Sequence, residues 1–518
     1  MHSGSAISTS YDDVLYPSYT HVQTHPDQLA MKAMLFGLEP ASVESCRVLE
    51  LGCGDGTNLI SFGSGTPGAS FIGIDLAEKP IEFGRGIIRD LGLTNVSLRA
   101  MSVMDVDREF GTFDYIIAHG LYSWVPAEVR DKVMAICKCN LAPNGVAQIS
   151  YNVHPGGHLR DMVREMMLYH VRGLTSPDER VHQAIALIKF LGEAKSDNDP
   201  YRLFLRDQFQ TLSEREKSTI YHDELSVVHH PVWFHEFCEH AGRHGLQFLV
   251  ESDYLRLEET SYTPEAIQIL RQLSGNRLAR EQYLDFLCFR RFRQSLLCHE
   301  NLPLRLGMAP EKLQRVHVSS PARPVAADFQ LLTDRPEKFL GERESNFEIN
   351  VPFAKAALIC LAEAWPHAIP FVPLVGMARR RLGREPDETL DAEALKFFEA
   401  LLQIYVPGLV RLHVSPPQMA TSPSERPLAS PLARWQAARP GQITSLRHIS
   451  VTLETSLERE FLRCLDGNRD RAALRSELDR LMENGRPDST GPVPTGRTVD
   501  SLLDGFCRMG LLVRCGSY

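Results

Sequence analysis

Between residues 46 and 150 short β-rich runs alternate with helical stretches, and the first run ends in a glycine-rich loop. Arg47-Val48-Leu49-Glu50-Leu51 leads into Gly52-Cys53-Gly54-Asp55-Gly56, and Ser70–Asp75, Val96–Ala100, Phe113–Ala118 and Gly145–Ser150 follow. The last run is entered through the turn residues Pro143-Asn144-Gly145. Strands this apolar need cover on both faces. The order therefore predicts an α/β, doubly wound, Rossmann-like sheet with parallel strands. Residues 157–222 carry helical patterns alone. Phe234–His244 reads as a helix, and Leu246–Val250 and Leu287–Leu297 read as late strands. These would complete a seven-stranded sheet, giving a core of 1–156 and 232–300 with a helical insertion, 157–231, over its C-terminal edge.

Beyond residue 305 the pattern changes. Residues 352–413 read helix, helix, helix, strand, and 455–515 repeat that order. A mainly helical C-terminal region (305–518) follows, built of two winged-helix-like units at about 334–413 and 447–518. The Pro/Ser-rich stretch 414–432 reads as their linker and Asn484–Thr498 as a second loose segment. Net charge is −9, so a nucleic-acid partner is not expected. The two arginine runs, at 290–293 and 379–381, read as solvated surface or carboxylate partners. Met1–Ser5 lacks the basic and apolar parts of a secretory signal, and no apolar run is long enough to insert in a membrane. The 11 cysteines show no disulfide or zinc-ribbon spacing, which fits a cytoplasmic location.

The glycine loop carries the first chemistry. Its spacing is Gly52-x-Gly54-x-Gly56, with acidic Glu50 before it and Asp55 inside it. A dinucleotide site wants G-x-G-x-x-G and a helix N-terminus open to a pyrophosphate. S-adenosyl-L-methionine (SAM) has no phosphate and presents an ammonium, a carboxylate and a sulfonium. Carboxylates at the loop suit its cationic groups and would repel a pyrophosphate, so the expected cofactor is SAM, with S-adenosylhomocysteine as product. Asp75 ends the second strand, where a carboxylate can accept both ribose hydroxyls, with Leu76 beside it. Asp105, after the third strand, is positioned for the adenine amino group, with Asp107 competing for that role, and Met104 for the adenine face. The cofactor set is then Glu50, Gly52, Gly54, Asp55, Gly56, Asp75, Leu76, Met104, Asp105 and His119.

Glu50–Gly56, Asp75, Asp105 and Phe113-Asp114-Tyr115 resemble the class I SAM-dependent methyltransferases. More narrowly, 119–126 (His119-Gly120-Leu121-Tyr122-Ser123-Trp124-Val125-Pro126) and 150–156 resemble bacterial methyltransferases with a methyltransferase regulatory domain. Residues 231–237 and 285–294 are similar to that regulatory domain itself, and Trp365-Pro366 and Leu465-Asp466-Gly467 to its C-terminal region. Relatives of this type include rickettsial-type protein lysine methyltransferases. The resemblance implies a protein or peptide substrate methylated on lysine.

After the fourth strand the chain has His119-Gly120-Leu121-Tyr122 where methyltransferases of nucleobase amino groups place an Asn/Asp-Pro-Pro-aromatic clamp. The acceptor is therefore not expected to be a nucleobase. Tyr122, Tyr151 and His119 are the candidate catalytic groups, and Trp124, Asn152 and Tyr16 the candidate substrate contacts. Tyr11, Tyr16, Tyr19 and His25 form an aromatic arm able to close over SAM. Five histidines crowd into 229–244, but His235 and His240 are five apart and diverge on a helix; His240 and His244 share a face, yet two ligands define no site, so no metal is expected. Three functions remain open: protein lysine methyltransferase, small-molecule methyltransferase, or non-catalytic SAM-binding regulator. An open acidic groove against the C-terminal half would favour a basic peptide, and a closed pocket a small acceptor.

Overall fold

A computed structural model of the chain describes residue 11 and residues 14–195, 199–252, 262–305, 310–342, 345–403, 409–483 and 498–514. Its centre is a seven-stranded sheet of β1 (Arg47–Leu51), β2 (Ser70–Asp75), β3 (Val96–Ala100), β4 (Phe113–Ala118), β5 (Leu141–Asn152), β6 (Leu246–Glu251) and β7 (Phe292–His299). The strand order is β3-β2-β1-β4-β5-β7-β6. The first five strands pair in parallel, and β7 runs antiparallel between β5 and β6. Val48, Leu49, Leu51, Ile74, Ile116 and Ile117 are fully buried, as expected for strands covered on both faces.

The first four strands fall where the apolar runs predict. Two later readings change. The turn expected at 143–145 lies within β5, which begins at Leu141 and bulges against β4 between Phe113 and Tyr115. The strand expected from Leu287 starts at Phe292, because the helix before it continues to Cys288 and ends with Phe289 left-handed at φ 51°.

Among the described residues, nine α-helices between residues 26 and 243 position the site. α1 (Pro26–Leu35) is buried all round, α2 (Thr57–Gly65) leaves the glycine loop, and α3 (Glu78–Leu91) and α4 (Ala127–Asn140) follow β2 and β4. The segment after β5 folds as α5 (Gly156–Val171), α6 (Pro177–Glu193), α7 (Pro200–Ser213) and α8 (Lys217–Glu224). These four share a core of their own, including Val163, Met167, Ile188, Leu205 and Ile220. α9 (Phe234–Arg243) then returns the chain to β6. 

α10 (Pro264–Leu273) and α11 (Arg277–Cys288) lead into β7. Here the arginine run meets carboxylates rather than water: Arg293 is fully buried and bonds Asp285 at 2.8 Å, Glu251 at 3.1 Å and Glu281 at 3.1 Å. In the second run Arg379 pairs with Asp391 at 2.7 Å.

The C-terminal half has two parts. In the first, helices Pro352–Ala364, Phe371–Arg381 and Ala392–Gln403 pack beside a small sheet whose strands include His317–Ser319 and Arg411–His413. The second begins earlier than residue 447, with the helix Pro431–Ala437, and continues through Ser456–Arg463, Arg471–Glu483 and Val499–Met509. The Pro/Ser-rich stretch between them is held in place. The Val414 and Ser415 amides donate to Asp27 at 2.7 and 2.8 Å, and Met419 and Ala429 bridge to Val513 and Leu512. Most of the expected loose segment at 484–498 lies outside the described residues. Trp435 anchors the second part to the core, donating through Nε1 to Asp90 at 2.8 Å and meeting the Phe83 ring edge-on.

Candidate functional site

The C-terminal ends of β1, β2, β4 and β5 open into a cavity of about 1540 Å³. Its walls include the glycine loop, the N-terminal segment, the α5–α8 insertion, the segment after β4 and the C-terminal part around Trp435. Open α/β sheets bind ligands at this edge, where β1 and β4 diverge.

The glycine loop is shaped for close approach. Gly54 has φ +57°, and a Cβ placed there would meet no atom within 4 Å, so its bare backbone faces open space. Asp75 organises the same loop, accepting the Gly54 amide at 2.8 Å through one oxygen and the Ala77 amide at 2.9 Å through the other. Glu50 is buried; Oε1 accepts from Asn58 at 3.0 Å, and Oε2 has no hydrogen-bond partner among the described residues. Burial, with Asp55 and Asp75 nearby, pushes the Glu50 carboxyl up to about 8. An unpartnered buried carboxylate oxygen beside open glycine backbone fits a cationic ligand group such as the ammonium of SAM.

The N-terminal segment closes one side. Ser18 donates to Asp55 Oδ2 at 2.6 Å, and the His21 amide donates to Asn58 at 3.0 Å. Tyr16 donates to Asp223 at 3.3 Å, and Tyr11 stacks on His222 with ring centroids 4.2 Å apart. The arm thereby bridges the loop and the insertion. His25, placed with this arm from sequence, instead caps α1 and stacks on His448 at 4.1 Å, away from this cavity.

Of the expected cofactor residues, Glu50, Gly52, Gly54, Asp55, Asp75, Leu76 and His119 line the cavity. Gly56, Met104 and Asp105 do not; Met104 and Asp105 are exposed, and Ser102 and Val103 just before them form the wall. Of the acceptor-side residues, His119, Trp124, Asn152 and Tyr16 line it. Tyr122 and Tyr151 are core residues on the opposite side of the sheet edge. Tyr151 shares a hydrogen bond with Ser295 at 2.9 Å and stacks on Phe237, and Tyr122 shares one with His240 at 2.7 Å. Neighbours on a strand point to opposite faces, so Tyr151 and Asn152 were never able to share a wall.

His119 is half-buried in the cavity wall, contacts the His21 ring at 4.0 Å, and leaves Nδ1 without a partner among the described residues. Burial, then the neighbouring His21, hold its pKa well below the usual histidine range, so it is neutral. Trp124 is covered by the guanidinium groups of Arg160 and Arg164, each 5.3 Å from the ring centre. Asn152 accepts from Arg160 at 3.2 Å and meets His229 at 3.0 Å. Arg160 and Arg215 also pair with Glu224, at 2.8 and 2.6 Å. Sequence reasoning missed Asn58, which lies just after the glycine loop and bonds Glu50, and also Ser18, Arg160 and Asp223, which are joined to the site by contacts between distant segments.

The fold and the glycine-loop edge define a class I SAM-dependent methyltransferase. Residues 42–204 match the model described as a methyltransferase domain, 216–299 that of a predicted methyltransferase regulatory domain, and 425–511 that of a PKMT C-terminal winged helix domain. The protein RP789 of Rickettsia prowazekii is 32% identical over 485 residues, covering 92% of this chain and 86% of that protein. The structure of PKMT2 from Rickettsia typhi in complex with AdoHcy is similar over 96% of this chain and 100% of that one, with a TM-score of 0.84 at 28% identity. A second structure of PKMT2 from Rickettsia typhi gives a TM-score of 0.82. The chain belongs to the family of SAM-dependent methyltransferases that carry a regulatory domain and a PKMT-type winged helix, and SAM is its cofactor.

Proposed function

We propose that this enzyme methylates lysine side chains of a protein substrate. One observation carries the reading: the cavity joins the cofactor loop to both the insertion and the C-terminal part, at about 1540 Å³. Small-molecule sites usually run to about 300–1,000 Å³, so a cleft this large and open has room for a polypeptide strand beside the cofactor. Its walls are mixed in charge, with carboxylates at the loop and at Glu216, Asp223 and Glu224, and with Arg160, Arg215 and Arg439 among them. The solved relative named as a PKMT supports the same acceptor.

SAM supplies an electrophilic methyl group on its sulfonium. Glu50 would hold the ammonium end, Asp75 the ribose, and Ser102 and Val103 the adenine edge. His119, neutral and half of a histidine pair with His21, accepts an N–H of the acceptor amine and aims its lone pair. Tyr11 and Tyr16, both held protonated by burial and by Asp223, close the cavity against water. A lysine ammonium entering this aromatic wall is desolvated and gives up its proton more readily. Arg160, gripped by Glu224 and Asn152, positions the Trp124 wall.

No disulfide is found among the described cysteines, and no described helix is long and apolar enough to cross a membrane; the first of these supports a cytoplasmic place of action. The test is labelling of a native lysate with tritiated SAM and this enzyme, with and without prior protease treatment. Label is expected in methyl-lysine after acid hydrolysis of the protein fraction. Label confined to small metabolites, unchanged by protease, overturns the protein substrate.

A further inference from the structure

On the other side of the sheet edge, α9 presents His240 and His244 one turn apart, and α4 brings Asp131 up to them. Both imidazole Nε2 atoms converge on the same oxygen, Asp131 Oδ1, at 3.3 Å from His240 and 2.8 Å from His244. One ligand atom from each of the three residues lies within 4.8 Å of the others. Sequence spacing alone supplied two ligands; the third comes from a helix more than a hundred residues earlier. The trio lies outside the cofactor cavity, since none of its members lines it.

We infer that His240, His244 and Asp131 form a site for a divalent cation of the zinc class, which staples the regulatory region to the methyltransferase core. Imidazole nitrogens and a carboxylate oxygen are the donors zinc takes at about 2.0–2.2 Å, so in a tetrahedral site neighbouring donors lie about 3.4 Å apart. The His240–Asp131 edge, at 3.3 Å, is already near that length; the His244–Asp131 edge, at 2.8 Å, has to lengthen, and the remaining edge is within 4.8 Å. Three protein ligands leave a fourth position for water.

The surroundings suit the ion on one side. The outer nitrogen of a metal-bound histidine normally has a hydrogen-bond partner, and His240 Nδ1 already has Tyr122 Oη at 2.7 Å. When Nε2 binds the ion, the His240 proton sits on Nδ1 and Tyr122 accepts it. Arg130 lies over the Tyr122 ring and Arg243 acts on His240, so the site works against two nearby positive charges. Asp131, 63% exposed, gives the ion a route in from solvent.

The site has a lever on the cavity. Tyr122 opens the short helical turn Tyr122–Trp124; Leu121 just before the turn and Trp124 at its end line the cavity. An ion held by α9 and α4 fixes the Tyr122 hydroxyl and so the turn. Neither ligand histidine lines the cofactor cavity, so SAM binding can be measured apart from ion binding.

The full-length chain, stripped with chelator, is titrated with Co²⁺ and then with Zn²⁺ as competitor. One equivalent of Co²⁺ is expected to give weak visible d–d bands without a thiolate charge-transfer band, which separates this site from the free cysteines. Zinc should displace it. His240→Gln and His244→Gln should each weaken binding at least about tenfold, and Tyr122→Phe by a smaller factor. Retained SAM binding by the variants shows that they are folded. The inference is overturned if no cobalt bands appear, if they carry thiolate charge transfer, or if they persist in the His240→Gln/His244→Gln double variant.

Discussion

Asp75 holds the Gly54 amide at 2.8 Å and thereby fixes the glycine loop from the neighbouring strand. The carboxylate proposed for the ribose is thus also a brace of the loop. Asp75→Ala removes both, and SAM affinity should fall by roughly ten- to a hundredfold, the scale of losing charge-assisted hydrogen bonds of about 1.5–3 kcal/mol. Asp75→Asn, which keeps an acceptor oxygen, should lose less. Calorimetric titration with SAM checks both; an Asp75→Ala protein that binds as wild type removes Asp75 from the cofactor site.

Glu50 makes SAM binding depend on pH. Its folded pKa, about 8, lies above the unfolded value, so without ligand the protonated form is favoured. Its share of stability is full below the unfolded carboxylate pKa and is lost as pH rises through about 8. A bound ammonium favours the ionised form instead, so SAM affinity should rise with pH up to about 8 and then level. Glu50→Gln should flatten that profile and bind more weakly. Affinity measured across this range decides it.

Gly84 lets α3 lie against the loop. A Cβ there would sit 1.9 Å from the Asp55 carbonyl oxygen, a backbone atom that cannot swing aside. Gly84→Ala should therefore push α3 and the loop apart, costing about 1–3 kcal/mol of stability and weakening SAM binding together. Gly92, where a Cβ meets nothing within 4 Å but φ is +66°, provides a contrast: Gly92→Ala should cost stability through backbone strain and leave SAM affinity unchanged.

Arg293 sits among Asp285, Glu251 and Glu281 with no exposure. Arg293→Met would strand three buried carboxylates, at a cost of about 3–5 kcal/mol. Because those groups can escape by taking up protons, the deficit should shrink as pH falls. Thermal melts of wild type and variant at several pH values test the size and the sign.

The sequence was most readable where structure is local. Four strands, the glycine loop and Asp75 follow from apolar runs and from residues at strand ends. The error at Leu287 was also local: apolar residues at helical spacing were read as a strand, and the turn at Phe289 carries no glycine to mark it. The acceptor side was less readable because its walls meet through distant pairs such as Tyr16 with Asp223 and Ser18 with Asp55. At Tyr151 the alternation of the strand already excluded sharing a face with Asn152. Tyr122 could not be placed the same way, since its direction is set by a helical turn and by His240, 118 residues later.

The antiparallel β7 has a bearing on how the molecule is made. It is the last strand of the sheet in chain order, yet it lies between β5 and β6. Until residue 299 has left the ribosome, β5 keeps one flank of amides and carbonyls without a neighbour, and β6 has nothing to pair with. The nascent chain must carry this open edge through the synthesis of the whole insertion, a window in which edge-to-edge aggregation competes with folding. Splitting the gene at the apparent end of the cofactor-binding half would make that window permanent.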